Sequence, residues 1–452
     1  MNKFAVDITA PPPPAPPREL AFPHYDAFVL GNGVQAFVYG NHAFPLVSVT
    51  AVIRSGSGCN DGIPGLASMT SEMLPKGTPT RTAEAIAFQM EFAGASIVTG
   101  SNWDALTVRC SVLSRELRTA MEVLSDVVCN ATFPAPELEI LRRQRLAGIM
   151  QRNASPGALS MMALARGVFG DHPFGYAQDG VLESVERMSR DDLEEFASRH
   201  IAPGNVFLVA GGDVSRSAFQ ELGEEFFGDW SRESRVSAVP ELPLPPESTR
   251  VIIAPKQDAV QSAIAVGHRG IARSDPDFLP AMVMNTVLGG YFGSRLNLNL
   301  REERGYTYGV NSQFDVRRLP GLFFVGAEVR NEVTRDAVEQ ILVEMRGMRE
   351  EPVPGDELEG VKHYLAGMFP LQLETPAQVA ASIIHRELYG FDLDYYRNYI
   401  KNLFAVSAED VLQSAQRFLH PDRAVIAVSG DADYLQKELA SFGTVTVREF
   451  NE

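Results

Sequence analysis

A repeat at long, constant spacing constrains this chain more than any other feature. Ser189, Asp192, Arg199, Pro203, Gly212 and Asp213 recur 218 residues later as Ser407, Asp410, Arg417, Pro421, Gly430 and Asp431. Upstream, Pro134, Glu137, Leu138 and Glu139 recur 220 residues later as Pro354, Glu357, Leu358 and Glu359. Self-similarity at one spacing marks a structural unit written twice. Each copy opens a helix on a capping serine with an acid in its first turn, and places a proline past the helix end. Each then runs into an apolar strand, residues 206–210 or 424–428, that closes on Gly-Asp. Between the copies, residues 239–248 are rich in proline and polar groups and read as a linker.

The resulting plan has a proline-rich, extended leader at 1–22, a first α+β domain at 23–235, a linker at 236–249 and a second α+β domain at 250–452. In the first domain, residues 27–39 read as a hairpin turning at Gly31-Asn32-Gly33. Residues 47–54 read as a strand, and Ala83, Ile86, Ala87 and Met90 as one face of a helix. Strands at 96–99 and 105–111 and a helix near 115–128 follow. The second half repeats the order with strands at 263–268, 308–316 and 321–329, and helices near 278–288 and from Thr334. Antiparallel strands with helices on one face give two homologous α/β sandwich domains of the α+β class, expected to face each other.

Composition narrows the function classes. A hydrophobic content of 45% with 21% charged residues is that of a folded chain rather than a disordered one. The formal net charge of −17 excludes nucleic acid as a partner, because phosphates need a basic surface. It suits basic partners or cationic peptides, or serves only solubility. Cys59, Cys110 and Cys129 match neither a disulfide framework nor a zinc cluster and read as small buried hydrophobes. No run of 18 apolar residues is present, so no membrane-spanning helix is expected. The leader is either a natural start or the remainder left once a signal peptide has been removed, so the compartment stays open, with the periplasm favoured over the cytoplasm.

The segment Gly65-Leu-Ala-Ser68-Met-Thr-Ser71-Glu72-Met-Leu-Pro-Lys-Gly77-Thr78 resembles the zinc-site helix of the pitrilysin and insulin-degrading-enzyme family, which includes the mitochondrial processing peptidases. That family reads Gly-Leu-Ala-His-x-x-Glu-His. Two histidines four apart share a helical face and hold zinc, and the glutamate between them polarises water. A third, acidic ligand comes from a later helix. Here Ser68 and Glu72 stand where the histidines belong, and Ser71 where the glutamate belongs. Serine hydroxyls are poor zinc ligands, and one carboxylate does not replace two imidazoles. Residues 140–170 contain no Asp or Glu, while Arg142, Arg143 and Arg145 bring positive charge. The resemblance therefore implies a degenerate metal site, with no metal and no catalytic residue in this chain alone.

In the second half, Asn285-Thr-Val-Leu-Gly289-Gly290, Ser294-Arg295-Leu296 and Arg301-Glu-Glu-Arg-Gly-Tyr-Thr-Tyr308 are similar to the family's Leu-Gly-Gly…Leu-Arg-Glu…Gly-x-Tyr segment. The resemblance implies that Arg301 and Tyr308 reach a zinc site, where they grip the substrate backbone and stabilise an oxyanion. Either the helix continues and both share a face, or Gly305 ends it and Tyr308 lies on a strand. A structural alternative pairs Arg301 with Glu302 or Glu303 and puts Tyr308 in the core. Tyr306 competes with Tyr308, and only the family spacing separates them. Gly289-Gly290 suits either close approach of a substrate strand or a helix C-cap. His172-Pro173-Phe174-Gly175 reads as a structural loop.

Members of that family work as clamshells of two such chains or of one double-length chain. The expectation is a bacterial, non-catalytic subunit that supplies Arg301 and Tyr308 to a homologous, zinc-bearing partner in peptide hydrolysis. The competing reading is a purely structural scaffold subunit. A metal-free hydrolase using Ser68 or Ser71 lacks a nearby histidine base.

Overall fold

A computed structural model describes residues 22–257 and 259–450. Apart from Phe22, the leader lies outside the described residues. The first half runs β1 (Asp26–Val29), β2 (Gln35–Gly40), β3 (Leu46–Ile53), α1 (Leu66–Met73), α2 (Ala83–Phe92), β4 (Val98–Ser101), β5 (Leu106–Leu113), α3 (Leu117–Cys129), α4 (Ala135–Asn153), α5 (Pro156–Phe169), α6 (Leu182–Arg187), α7 (Arg190–His200), β6 (Val206–Gly212) and α8 (Arg216–Phe227). The second runs β7 (Arg250–Pro255), β8 (Gln261–Arg269), α9 (Phe278–Asn285), β9 (Val310–Asp315), β10 (Leu322–Arg330), α10 (Thr334–Glu350), α11 (Gly355–Met368), α12 (Pro376–Tyr389), α13 (Tyr399–Ala405), α14 (Ala408–Phe418), β11 (Val425–Gly430), α15 (Ala432–Leu439) and β12 (Thr444–Val447).

The strands form two six-stranded sheets, ordered β1-β2-β6-β3-β5-β4 and β12-β7-β11-β8-β10-β9. Five strands of each sheet keep one order, with β6 and β11 in equivalent places. The sixth differs: β1 arrives through an N-terminal hairpin, β12 from the C-terminus. The sheets are mixed rather than purely antiparallel, since β2–β6, β7–β11 and β12–β7 are parallel. Residues 189 and 407 cap α7 and α14, each in a reciprocal box with an aspartate three residues on. The turn at Gly31-Asn32-Gly33 closes the β1–β2 hairpin. Other expectations shift. Ala87 is exposed, so α2 buries Ile86 and Met90 alone. The helix from Phe278 ends at Asn285 and passes into a π-helical turn, Thr286–Gly290. Strands β7 and β12 carried no recognised signal.

β6 and β11 are buried along their whole lengths. Successive side chains alternate between faces, so each strand feeds two cores. Val206, Leu208 and Ala210 join the core of the first half, and Ile426 and Val428 that of the second. Phe207 and Val209 point the other way, onto Val379, Ala380 and Ile383 of α12. Val425 and Ala427 meet Leu159, Ala163 and Val168 of α5. Each half therefore lends one helix to the other half's sheet. Both helices start on a capped proline, Ser155-Pro156 and Thr375-Pro376, again 220 residues apart. Burying each large apolar side chain at these contacts contributes about 2 kcal/mol. The linker joins in: Val239 and Leu242 pack beside α5. Arg317, buried and paired with Asp315, stacks on Trp103 and Phe174 of the other half.

Glycine allows both close approaches. A Cβ on Gly167 of α5 would stand 2.6 Å from Ile252 Cδ1, and one on Gly211 of β6 would stand 2.6 Å from the backbone oxygen of Pro376. Gly211→Ala is expected to destabilise the chain by about 1–3 kcal/mol through overpacking. Gly148→Ala, on α4 with nothing within 4 Å, should instead stabilise by about 0.5–1 kcal/mol. Denaturant unfolding of the two variants measures both signs.

Burial also governs the response to acid. His268 Nε2 accepts a hydrogen bond from the His420 backbone N–H (3.0 Å), so Nδ1 carries the proton and donates to the Arg269 carbonyl (3.0 Å). Burial pushes His268 down to about 3, and His385 and His420 down to about 4. The neutral forms are favoured by folding, so their stabilisation is present above the unfolded value of about 6.5 and is lost as pH falls from there towards 4. The melting temperature should drop between about pH 7 and pH 5. A flat profile would contradict this.

Candidate functional site

The Ser68 region is built on a helix that starts where only glycine fits. Gly65 has a φ of 90°, and a Cβ there would stand 2.9 Å from Gly180 Cα. Leu66, Ala67, Met69 and Met73 anchor α1 in the core of the first half. Ser71 Oγ donates to the Gly100 carbonyl (3.1 Å) and ties α1 to edge strand β4. Ser68 and Glu72, one turn apart, both face Arg145 of α4. The Arg145 Nη1 donates to Ser68 Oγ (3.0 Å) and to the Asp179 carbonyl (3.2 Å), and its Nη2 to Glu72 Oε1 (2.5 Å). A buried guanidinium is thus the cation between the two positions. Arg142 binds the carbonyls of Val185 and Met188, and Arg152 pairs with Asp179. Arg143 contributes nothing to the cluster: it is exposed, with Nε on the Glu139 carbonyl.

This donor set does not fit zinc. It offers two hydroxyls and one carboxylate, and that carboxylate already holds a positive charge. Among the described residues, no group of three or more His, Cys, Asp or Glu side chains is arranged to hold a metal. His172 is committed to its loop, with Nδ1 accepting from the Phe174 N–H (3.0 Å) and Nε2 donating to the Pro240 carbonyl (3.1 Å). Cys59 and Cys110 are buried and Cys129 is half-buried, and burial pushes the Cys110 thiol up to about 12.

Arg301 and Tyr308 lie in the second half. The π-helical stretch Asn297–Glu303 carries Arg301, which pairs with Glu302 (2.6 Å) and lies over the Phe292 ring, 4.1 Å from its centroid. Gly305, at φ 63°, ends the helix. Tyr308 is neither helical nor part of the strand expected from 308, since β9 begins at Val310. It is not core either: it is 97% exposed. Tyr306, its competitor, is anchored, with its hydroxyl on Asp336 (2.7 Å). Gly289 is buried, and a Cβ there would stand 2.7 Å from Ser312 N, so its close neighbour is β9 and not an incoming strand.

Two grooves meet at Tyr308. One, of about 420 Å³, lies between the first turns of α5 (Gly157, Ser160, Met161) and strands β8 and β10. The other, of about 490 Å³, is bordered by Arg301, Glu302, Tyr306 and Arg330. Gln261, Thr307, Tyr308 and Glu328 line both, so the grooves are continuous. Neither includes Ser68, Ser71 or Glu72. The sequence signalled Arg301 and Tyr308 by spacing. It gave no sign that the wall opposite Tyr308 comes from the first half.

Comparisons with known proteins agree with this layout. Residues 39–176 match the family model described as insulinase (peptidase family M16), and residues 187–365 match the one described as peptidase M16 inactive domain. The uncharacterized zinc protease YmxG of Bacillus subtilis is 23% identical over 399 residues, 88% of this chain and 96% of its own. The uncharacterized zinc protease Rv2782c of Mycobacterium tuberculosis is 30% identical over 297 residues, 61% of this chain and 67% of its own. A crystal structure described as peptidase M16 inactive domain, from Pseudomonas fluorescens, superposes with a TM-score of 0.84 at 26% identity, covering 90% of this chain and 98% of that one.

Arg145→Ala should leave Ser68 and Glu72 without their shared donor and lower stability by about 1–3 kcal/mol. Arg145→Lys should not restore it, because a single ammonium lacks the fork that reaches Ser68, Glu72 and the Asp179 carbonyl together. Chemical unfolding of both variants tests this, and full stability in the lysine variant would refute it.

Proposed function

The chain belongs to peptidase family M16, and from that premise we propose that it is a non-catalytic subunit of a zinc metallopeptidase. In this reading it binds no metal itself, and it lends Arg301 and Tyr308 to a homologous chain that carries the zinc. The observation behind it is a contrast. The helix that should hold metal is locked by Arg145, whereas Tyr308 extends its phenol into solvent at the junction of two grooves. A side chain 97% exposed contributes little to the fold, so its value lies in what it meets. A phenol donates to developing negative charge, and a guanidinium grips peptide carbonyls or a carboxylate. The grooves offer both groups along one extended surface, which suits a peptide.

One observation favours the alternative of a scaffold. Arg301 is already partnered by Glu302 and covered by Phe292, so it must give up the ion pair to hold substrate. The pair is exposed enough that breaking it costs less than about 1 kcal/mol.

The test uses this chain purified with its partner, hydrolysing fluorescein-labelled casein peptides. Tyr308→Phe should slow hydrolysis about a hundredfold or more, the usual effect of removing an oxyanion donor. Arg301→Ala should also weaken peptide binding. Tyr306→Phe loses the Asp336 bond and should cost about 1 kcal/mol of stability with little change in rate. Unchanged rates in both Arg301→Ala and Tyr308→Phe would leave the scaffold. One tightly held zinc per chain, found by metal analysis of this subunit alone, would overturn the metal-free reading.

A further inference from the structure

Arg301 and Tyr308 stand on different supports. Arg301 belongs to the π-helical stretch Asn297–Glu303, a form common at functional sites. Tyr308 sits past the Gly305 turn, in a segment where Thr307 Oγ1 donates to the Gly309 carbonyl (2.8 Å), just before β9. The side chain of Asn297 joins the two supports. Asn297 is buried. Its Oδ1 accepts from Val310 N (3.2 Å) and its Nδ2 donates to the Val310 carbonyl (2.9 Å). A side-chain amide has both a donor and an acceptor, so it pairs with both backbone groups of Val310 as a neighbouring strand would. The same Nδ2 faces the Tyr291 carbonyl (3.2 Å) and Ser294 Oγ (3.1 Å). Residues 298–309, which include both Arg301 and Tyr308, thus form a loop stapled at its base by one residue. Within it, Tyr306 N donates to the Leu300 carbonyl (2.8 Å). Asn285 works in parallel further along β9, donating to the Ser312 carbonyl (3.1 Å) and accepting from Ser312 Oγ (2.8 Å). Together the two amides occupy the outer edge of β9, which would otherwise be open for pairing.

We infer that Asn297 is a positioning residue that fixes where Arg301 stands relative to Tyr308, so that both engage one bound peptide. The inference rests on the assignment of those two residues to peptide binding. Misplacing a catalytic contact by about 1 Å costs on the order of a hundredfold in rate, and an unstapled loop moves further than that.

The experiment uses the complex of this chain with its zinc-bearing partner and the same labelled casein peptides. Asn297→Leu keeps the buried volume and removes all four hydrogen bonds. Asn297→Asp keeps the acceptor for Val310 N and carries the test if the leucine variant does not fold. Asn297→Leu should lower kcat about tenfold to a hundredfold, with Asn297→Asp in between, and amide exchange should quicken at Val310. In an Arg301→Ala/Tyr308→Phe background, Asn297→Leu should lower kcat less than about threefold further, because residues that act as a unit are not additive. An unchanged kcat in the single variant, or an equal loss in both backgrounds, would overturn the positioning role while leaving the peptide-binding assignment intact. If Arg301→Ala and Tyr308→Phe are themselves silent, that assignment fails first and the positioning role falls with it.

Discussion

The central strand of each sheet is apolar on both faces, and no single half of the chain has helices enough to cover both. Phe207 and Val209 of β6 need α12, and Val425 and Ala427 of β11 need α5. The exchange is reciprocal, so neither half can leave without exposing two apolar surfaces, its own and the one it was covering. The Arg317 stack on Trp103 and Phe174 and the packed linker sit on the same seam. The two halves are therefore one folding unit in energetic terms, although each has its own sheet and core. The groove beside Tyr308 inherits this arrangement, because one of its walls is the first turn of α5 resting against the foreign sheet.

The Ser68 region shows how a metal-site helix is kept once its ligands are gone. A metal ion draws its ligands together. Without it, facing polar groups in a buried setting need another source of positive charge or hydrogen bonds. Arg145 supplies both, and its fork spans Ser68, Glu72 and the Asp179 carbonyl. α1 keeps its place between β4 and α4, with Ser71 bonded to β4. The shape of the region survives while its chemistry changes from Lewis acid to fixed salt bridge.

The second half distributes constraint differently. Tyr306 is tied down by Asp336 and Gly289 is pressed against β9, while Tyr308, two residues beyond Tyr306, is left in solvent. Rigid residues flank a projecting one, the pattern by which a binding group is held out at low entropic cost.

Much of the fold was legible from residues alone. The spacings of 218 and 220 mark equivalent elements, and the Gly31-Asn32-Gly33 turn, the serine caps and the apolar runs at 206–210 and 424–428 all fall on the elements they indicate. The mismatch of Ser68, Ser71 and Glu72 with a zinc-binding helix was equally plain, because ligand chemistry is a property of residue type. Strands β7 and β12 escaped, being short and paired with partners far away in sequence. The repeat Ser155-Pro156 and Thr375-Pro376 was also present to be read, yet nothing in it says that α5 and α12 cross to the opposite sheet. That Arg145 rather than Arg143 meets Ser68 depends on which face of α4 turns inward, and that Tyr308 is exposed while Tyr306 is bonded depends on where Gly305 turns the chain. The sequence by itself determined the repeated unit, the class of each half and the loss of the metal ligands, because these follow from local pattern and chemistry. Only the tertiary structure decided the helix exchange, the guanidinium that replaces the cation and the groove at Tyr308, because each depends on contacts between residues distant along the chain.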